Sequence, residues 1–309
     1  MITIYRTTPD GLETIEDYQA GSWVHVVNPT NPEIEELLSR FGFPADFLTD
    51  PLDMDERART ERENESTLIL LRVPRRDIDE EIPFVTLPVG IILTQNLIIT
   101  VSMTDADVIQ DFINGRVRGF STENRNRFVL LLFMRTALLF LTYLKEINRM
   151  TSSVQQKLHR ALKNEELIKL LNLEKSLVFF ITSLRSNALM MEKCYNSECM
   201  KLSGEETALF DEVIIENRQA IEMANIYSNI LSGMMDAFAS VISNNLNMVM
   251  KLLTTLTILL MIPTIVTSFY GMNVELPYQQ IPYAFLIPII ASAILAFVGI
   301  VIFWKGKFF

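Results

Sequence analysis

The segment from Lys251 to Glu275, which reads KLLTTLTILLMIPTIVTSFYGMNVE, decides the fold of this 309-residue chain. Its 23 residues from Leu252 to Val274 carry no charge, and a second uncharged run of 29 residues extends from Leu276 to Trp304. A helix needs about 20 predominantly apolar residues to cross the hydrocarbon core of a bilayer. The sequence therefore predicts two membrane-spanning helices in the C-terminal part of the chain.

The charges that flank the two spans predict their orientation. Lys251 precedes the first span and Lys305 and Lys307 follow the second, whereas Glu275 is the one charged residue between them. Cytoplasmic loops carry an excess of lysine and arginine. We therefore expect a multi-pass protein of the plasma or inner membrane with its N- and C-termini in the cytoplasm.

The residues before the spans are predominantly acidic. The chain has 27 basic and 37 acidic residues, and setting aside Lys251, Lys305, Lys307 and Glu275 leaves 24 basic against 36 acidic residues. Nucleic acids and anionic lipid surfaces bind basic faces, so this charge argues against a nucleic-acid partner. An acidic domain beside a pore suits cations, but an acidic surface equally keeps a domain soluble.

Residues 1–123 are predicted to form an α+β domain with a mixed α/β/α sheet. A helix is predicted from Ile34 to Phe41, with Asn31 as its cap and Pro32 as its first residue. The charged stretch Asp50 to Glu65 is predicted to be a solvated, partly helical surface. Short runs rich in Val, Ile and Leu predict strands at Met1–Arg6, Trp23–Val27, Leu68–Val73, Val85–Leu93 and Leu97–Val101.

From Asn124 onward the apolar residues recur every three or four positions, which predicts three long helices. Breaks are expected at Lys163-Asn164 and at Leu202-Ser203-Gly204. The third helix, from Glu205 to Tyr270, would span roughly 100 Å and form a stalk that packs against copies of itself. We assign residues 124–246 to this helical region and stalk, and residues 247–309 to a two-span transmembrane pore domain.

A polar stripe follows one face of the lower stalk and the first span. Polar side chains are not expected on a helix face that contacts lipid, although small hydroxyl residues also mediate close packing between membrane helices. Two spans cannot enclose a pore alone, so the pore interpretation requires an oligomer in which the span from Tyr283 to Trp304 faces lipid. The stripe consists of Asn247, Met250, Thr254, Thr257, Met261, Thr264 and Ser268.

These features resemble those of the CorA family of magnesium transporters. The family signature, Tyr-Gly-Met-Asn at the outer end of the first of two C-terminal spans, is matched by Tyr270-Gly271-Met272-Asn273. The acidic α/β domain, the long stalk helix, the Asn-x-x-Met-Lys sequence that enters the membrane and the basic C-terminus also match. The resemblance therefore covers the whole architecture.

The resemblance implies a funnel-shaped homopentamer that admits Mg²⁺ and is closed by intracellular Mg²⁺, so that Mg²⁺ is both the transported and the regulatory ion. It implies that Gly271, Met272 and Asn273 form a selectivity filter and that Leu253 and Tyr270 join the pore lining, Leu253 forming an apolar gate with Met250. Glu275 would concentrate cations at the mouth, or be an ordinary loop glutamate. Asp211 and Glu212 are candidate regulatory metal ligands, or part of a solvated acidic face.

Other functions are compatible with parts of the sequence. Co²⁺ and Ni²⁺ are further candidate ions, and a zinc transporter of the same fold is an alternative against which Met272 argues. A membrane-tethered scaffold is a second alternative. An enzyme is not expected, because no nucleophile, metal cluster or phosphate loop stands out, and Cys194, Cys199, His25 and His159 lack the spacing of a zinc site.

Overall fold

A mixed sheet organises the N-terminal part of the chain in the computed structural model, which describes residues 1–9, 11–63, 65–77, 80–160, 164–196, 200, 202–272 and 282–305. Seven strands lie within these residues, in the order β2-β1-β3-β7-β6-β5-β4. Strands β3 and β7 pair in parallel and the other neighbours are antiparallel. The strands are β1 (Ile2–Thr8), β2 (Gly11–Ile15), β3 (Trp23–Val27), β4 (Arg59–Glu63), β5 (Ser66–Arg76), β6 (Phe84–Leu93) and β7 (Ile98–Ser102).

Both faces of this sheet are covered by helices. Successive side chains of a strand point to opposite faces, so Ile69 and Leu71 of β5 enter one core while Leu68 and Leu70 enter the other. The first core includes side chains from α3 (Asp107–Ile113) and α4 (Arg125–Arg160). The second includes side chains from α1 (Asn31–Phe41) and α2 (Asp46–Thr49). The predicted α/β/α arrangement is therefore confirmed.

The long helices agree with the predicted breaks. Helix α4 ends before Lys163-Asn164, and α5 (Asn164–Asn196) ends before the break at Leu202-Ser203-Gly204. Helix α6 (Gly204–Tyr270) is 67 residues long, which confirms the predicted third helix to within one residue. Helix α7 (Leu286–Lys305) begins three residues later than the predicted second span.

One prediction about the N-terminal residues was wrong, one was correct only in part, and one strand was not predicted. Helix α1 is capped by Thr30 rather than Asn31, and the Glu33 carboxylate accepts hydrogen bonds from the Thr30 backbone N–H and hydroxyl. Residues Asp50 to Glu65 begin with a short 3-10 helix, Asp50–Leu52, as predicted, but they also include the edge strand β4, whose charged side chains are typical of strands that avoid pairing with other molecules. Strand β2 was not predicted, because its residues lack a continuous apolar run.

Three of the described helices are long and apolar enough to cross a membrane. The most apolar 18-residue stretch of α4 is 61% buried inside the protein, so packing against the sheet accounts for its apolar residues. The most apolar stretches of α6 and α7 are only 6% and 11% buried. Because an exposed apolar helix needs an apolar environment, α6 and α7 are the helices suited to lipid and to helix partners in a membrane.

The chain divides into two compact units, Met1–Met234 and Met235–Phe309. The first holds the sheet, its covering helices and the N-terminal part of α6. The second holds the C-terminal part of α6 and α7. The boundaries predicted from composition, at residues 123 and 246, stay predictions.

The buried side chain of His25 links stability to pH. Its Nδ1 lies 3.0 Å from the Thr100 hydroxyl, which also accepts a hydrogen bond from the Trp23 indole N–H. Burial lowers the pKa of His25 to about 4, and Asp105, whose carboxylate lies 3.9 Å from Nε2, opposes this shift only partly. The folded chain therefore holds His25 neutral at pH values where the unfolded chain protonates it.

We expect the free energy of unfolding of the N-terminal unit to fall as the pH drops from about 6.5 toward 4, by up to about 1.4 kcal/mol per pH unit. The sign follows because the unfolded state binds the additional proton in this window. Chemical denaturation at several pH values measures the effect. His25→Asn keeps an acceptor near Thr100 but does not titrate, so an equally steep dependence in that variant would contradict the assignment.

Candidate functional site

The predicted polar stripe lies on the part of α6 that belongs to the second unit. Each of its members is exposed in the single chain, including Met250 (53%) and Met261 (56%). Leu253 and Tyr270, which the family resemblance added, are exposed as well. The structure therefore leaves the whole described stripe available to a partner, to water or to an ion.

Helix α7 packs against a different face of α6. A Cβ atom added to Gly299 of α7 would lie 3.1 Å from Cδ2 of Leu259 and 3.4 Å from Cδ1 of Ile262. An α-helix turns by about 100° per residue, which places Leu259 opposite the stripe and directs Ile262 away from it. The hairpin partner thus covers one side of α6 and leaves the polar side uncovered.

The threonine hydroxyls of the stripe donate to their own helix. Oγ1 of Thr254 donates to the Met250 carbonyl at 2.8 Å, Oγ1 of Thr257 to the Leu253 carbonyl at 2.8 Å, and Oγ1 of Thr264 to the Leu260 carbonyl at 3.1 Å. A hydroxyl has one proton and two lone pairs. With the proton engaged, the oxygen lone pairs remain, so these threonines are hydrogen-bond acceptors toward anything that lies along the stripe.

A tight turn follows the C-terminal end of α6. Tyr270 is the last helical residue, the Gly271 N–H donates to the Thr267 carbonyl at 2.9 Å, and the Met272 N–H donates to the Phe269 carbonyl at 3.4 Å. A Cβ atom on Gly271 would lie 3.3 Å from the Thr267 oxygen, so a larger residue would be crowded there. Both Gly271 and Met272 are exposed. The predicted Asn273 and Glu275 lie outside the described residues.

The polar row continues below Asn247, which the sequence analysis missed. Asp236, Ser240 and Ser243 precede Asn247 at steps of four, three and four residues, and all are exposed on α6. They follow the same periodicity but lie in the stalk, nine or more residues before the uncharged run that begins at Leu252. Asp236 adds a carboxylate to a row that is otherwise made of neutral oxygen and sulfur atoms.

The predicted regulatory residues Asp211 and Glu212 lie on α6 within the first unit. Both side chains are exposed. No group of three or more His, Cys, Asp or Glu residues that could hold a metal occurs within a single copy of the described chain. Cys194 is buried, and Cys199 lies outside the described residues.

Comparisons with known proteins agree on one family. The sequence model for the CorA-like Mg²⁺ transporter protein matches residues 18–305. The cobalt/magnesium transport protein CorA of Methanocaldococcus jannaschii is 27% identical, with 99% of each chain covered, and that of Thermotoga maritima is 22% identical, with 98% of this chain and 88% of the relative covered. The complete structure of the CorA magnesium transporter from M. jannaschii superposes with a TM-score of 0.83 at 22% identity, covering 99% of this chain and 98% of the other. The chain therefore belongs to the CorA-like Mg²⁺ transporter family.

Proposed function

We propose that this chain is one subunit of a homo-oligomeric channel through which Mg²⁺ enters the cell down its electrochemical gradient. The observation that carries the proposal is the exposed polar stripe of α6, on the side of the helix away from α7. A monomer would present this stripe to lipid, which cannot hydrogen-bond to its threonine and asparagine oxygens. Several copies around a common axis would instead enclose it, and the family resemblance supports five copies in a funnel-shaped assembly.

The chemistry of the stripe suits a hydrated divalent cation. Mg²⁺ loses its waters reluctantly and is commonly bound with several of them retained. The hydroxyl lone pairs of Thr254, Thr257 and Thr264 can accept hydrogen bonds from those waters, and neutral oxygens hold an ion weakly enough for it to leave again. Entry of a divalent ion is favoured by about 4.6 kcal/mol per 100 mV of inside-negative potential, twice the value for one charge, so no energy-supplying reaction is required.

The two ends of the path have different proposed roles. Gly271, Met272 and Asn273 form the selectivity filter at the outer mouth, where the carboxamide of Asn273 receives the hydrated ion and Glu275 raises the local cation concentration. Met250 and Leu253 form the apolar gate near the cytoplasmic side. Lys251, Lys305 and Lys307 support a topology with both termini in the cytoplasm.

Regulation by intracellular Mg²⁺ is assigned to Asp211 and Glu212. Because no complete metal site occurs in the described part of one copy, these carboxylates would have to share the ion with a neighbouring subunit. Hard oxygen ligands of this kind suit Mg²⁺. Two curated relatives bear the name cobalt/magnesium transport protein, which supports Co²⁺ as a further transported ion.

Ion flux into liposomes tests this function. The purified chain is reconstituted with a Mg²⁺-sensitive dye inside, and we expect Mg²⁺ uptake in the wild type and uptake near the protein-free background in Asn273→Leu. Asn245→Leu is the matched control, because Asn245 is exposed on α6 but lies off the stripe. Zn²⁺ uptake without Mg²⁺ uptake would instead identify a zinc transporter, and no uptake of any divalent ion would favour a tethered scaffold.

A further inference from the structure

A groove between strand β4 and helix α5 carries a concentration of positive charge. Its volume is about 500 Å³, and four of its ten lining residues are cationic, namely Arg57, Arg59, Arg185 and Lys193, whereas none is acidic. The chain as a whole has a net charge of −10. A cluster of cationic side chains in an acidic protein favours the approach of anions from solution.

Two of these arginines retain their positive charge without a carboxylate partner. Arg59 is neutralised by Asp50 at 2.6 Å and by Glu56 and Glu61. In contrast, the described residues include no ion pair to the guanidinium of Arg57 or to that of Arg185, which donates one hydrogen bond to the Asn225 side chain at 3.2 Å. The charge of Arg57 and Arg185 is thus available to a ligand.

The groove has a fixed width and apolar side chains beside its arginines. The Ala58 N–H donates to the Ser186 hydroxyl at 3.0 Å, which ties the start of β4 to α5 and sets the distance between the two sides. Ile181 and Leu189 supply apolar surface beside the arginines, and 63% of Leu189 is exposed. An occupant that covers Leu189 would therefore gain by removing apolar surface from water.

We propose that this groove binds a polyphosphate anion attached to a flat apolar body, which is the chemistry of a nucleoside triphosphate. Arginine presents a planar fork of donors that matches phosphate oxygens in pairs. The volume of the groove lies within the range of pockets that hold small molecules of this size. Phosphates would contact Arg57 and Arg185, and the base would cover Leu189.

Magnesium should oppose this binding. Mg²⁺ coordinates the same phosphate oxygens that the arginines require, and no carboxylate lines the groove, since those of Asp50, Glu56 and Glu61 beside it already pair with Arg59. The groove therefore selects the metal-free anion. This consequence rests on the proposed function: in a Mg²⁺ channel, the metal-free anion would occupy the groove of the N-terminal unit when intracellular Mg²⁺ is scarce.

Titration calorimetry on the full-length assembly in detergent tests the proposal, first in a chelator and then with added Mg²⁺. We expect ATP to bind, to bind more tightly than tripolyphosphate because only ATP has a base that covers Leu189, and to bind more weakly as Mg²⁺ is added. Arg57→Gln/Arg185→Gln should weaken ATP binding at least ~10-fold, since each loses a charge-assisted hydrogen bond. Lys145→Gln/Arg149→Gln removes the same charge from exposed positions on α4 and should bind ATP like the wild type.

Several results would overturn the proposal. These are no ATP binding by the wild type at millimolar concentration, equal affinity in the Arg57/Arg185 variant, or tighter binding with Mg²⁺. A changed subunit number in that variant would assign the arginines to a contact between copies instead. Liposome flux on the same preparations separates the two proposals, because flux without ATP binding contradicts only the groove and ATP binding without flux contradicts only the channel.

Discussion

Uptake of Mg²⁺ by the Thr264→Leu variant is expected to fall at least ~10-fold below that of the wild type. The hydroxyl oxygen of Thr264 has its proton engaged with the Leu260 carbonyl, so it faces the stripe as an acceptor for the waters of a hydrated cation. Leucine removes this acceptor from every subunit at once. It also places a ring of isobutyl groups in a narrow path, and such hydrophobic constrictions lose their water and stop conduction.

Thr267→Leu is the matched control for this substitution. Thr267 is also exposed on α6, and its hydroxyl also donates to a carbonyl one turn earlier, that of Pro263, at 2.9 Å. It differs from Thr264 in direction, because Thr267 directly precedes Ser268 of the stripe and consecutive helical residues are turned by about 100° from one another. Liposome uptake of Mg²⁺ should therefore be close to normal in Thr267→Leu, and equal loss in both variants would contradict the pore assignment.

The strands and helices that could be predicted from the sequence are those whose pattern of apolar residues fits only one kind of structure. Strand β5 reads as a continuous apolar run because Leu68 to Leu71 alternate between two buried faces. The ends of α5 and α6 coincide with polar and glycine residues that interrupt the helical period. Strand β4 was missed because an edge strand with one neighbour needs few apolar side chains, and its charges are equally typical of a solvated loop.

The helical periodicity of the sequence also predicts part of the candidate site. The periodicity places Thr254, Thr257 and Thr264 on one face, but it contains no information about which face α7 covers or where the hydroxyl protons point. The covered face depends on the contact of Gly299 with α6, and the direction of the hydroxyl protons depends on hydrogen bonds to the helix carbonyls. Asp236 follows the same spacing, but it lies in the stalk 16 residues before the uncharged run at Leu252, where charged residues are common and a polar position is not distinctive.

Closure of the channel is expected to fail when the two proposed gate residues become polar. In Met250→Ser/Leu253→Ser, Mg²⁺ uptake into liposomes should persist at internal Mg²⁺ concentrations that stop uptake by the wild type. The reason is that Met250 and Leu253, both more than half exposed in the single chain, would form apolar rings that exclude water from the path when the subunits approach one another. Serine at both positions restores a hydrated path, so an assembly in the closed arrangement would still conduct.

Leu252→Ser separates this effect from a general weakening of the helix. Leu252 is 55% exposed, almost the same as Leu253, but the 100° turn between consecutive residues directs it away from the stripe. The same substitution at the neighbouring position should therefore leave closure by internal Mg²⁺ intact. If Leu252→Ser also stayed open, or if the double variant still closed, the apolar gate would have to lie elsewhere along α6, and the polar stripe would then line a path that is closed by other residues.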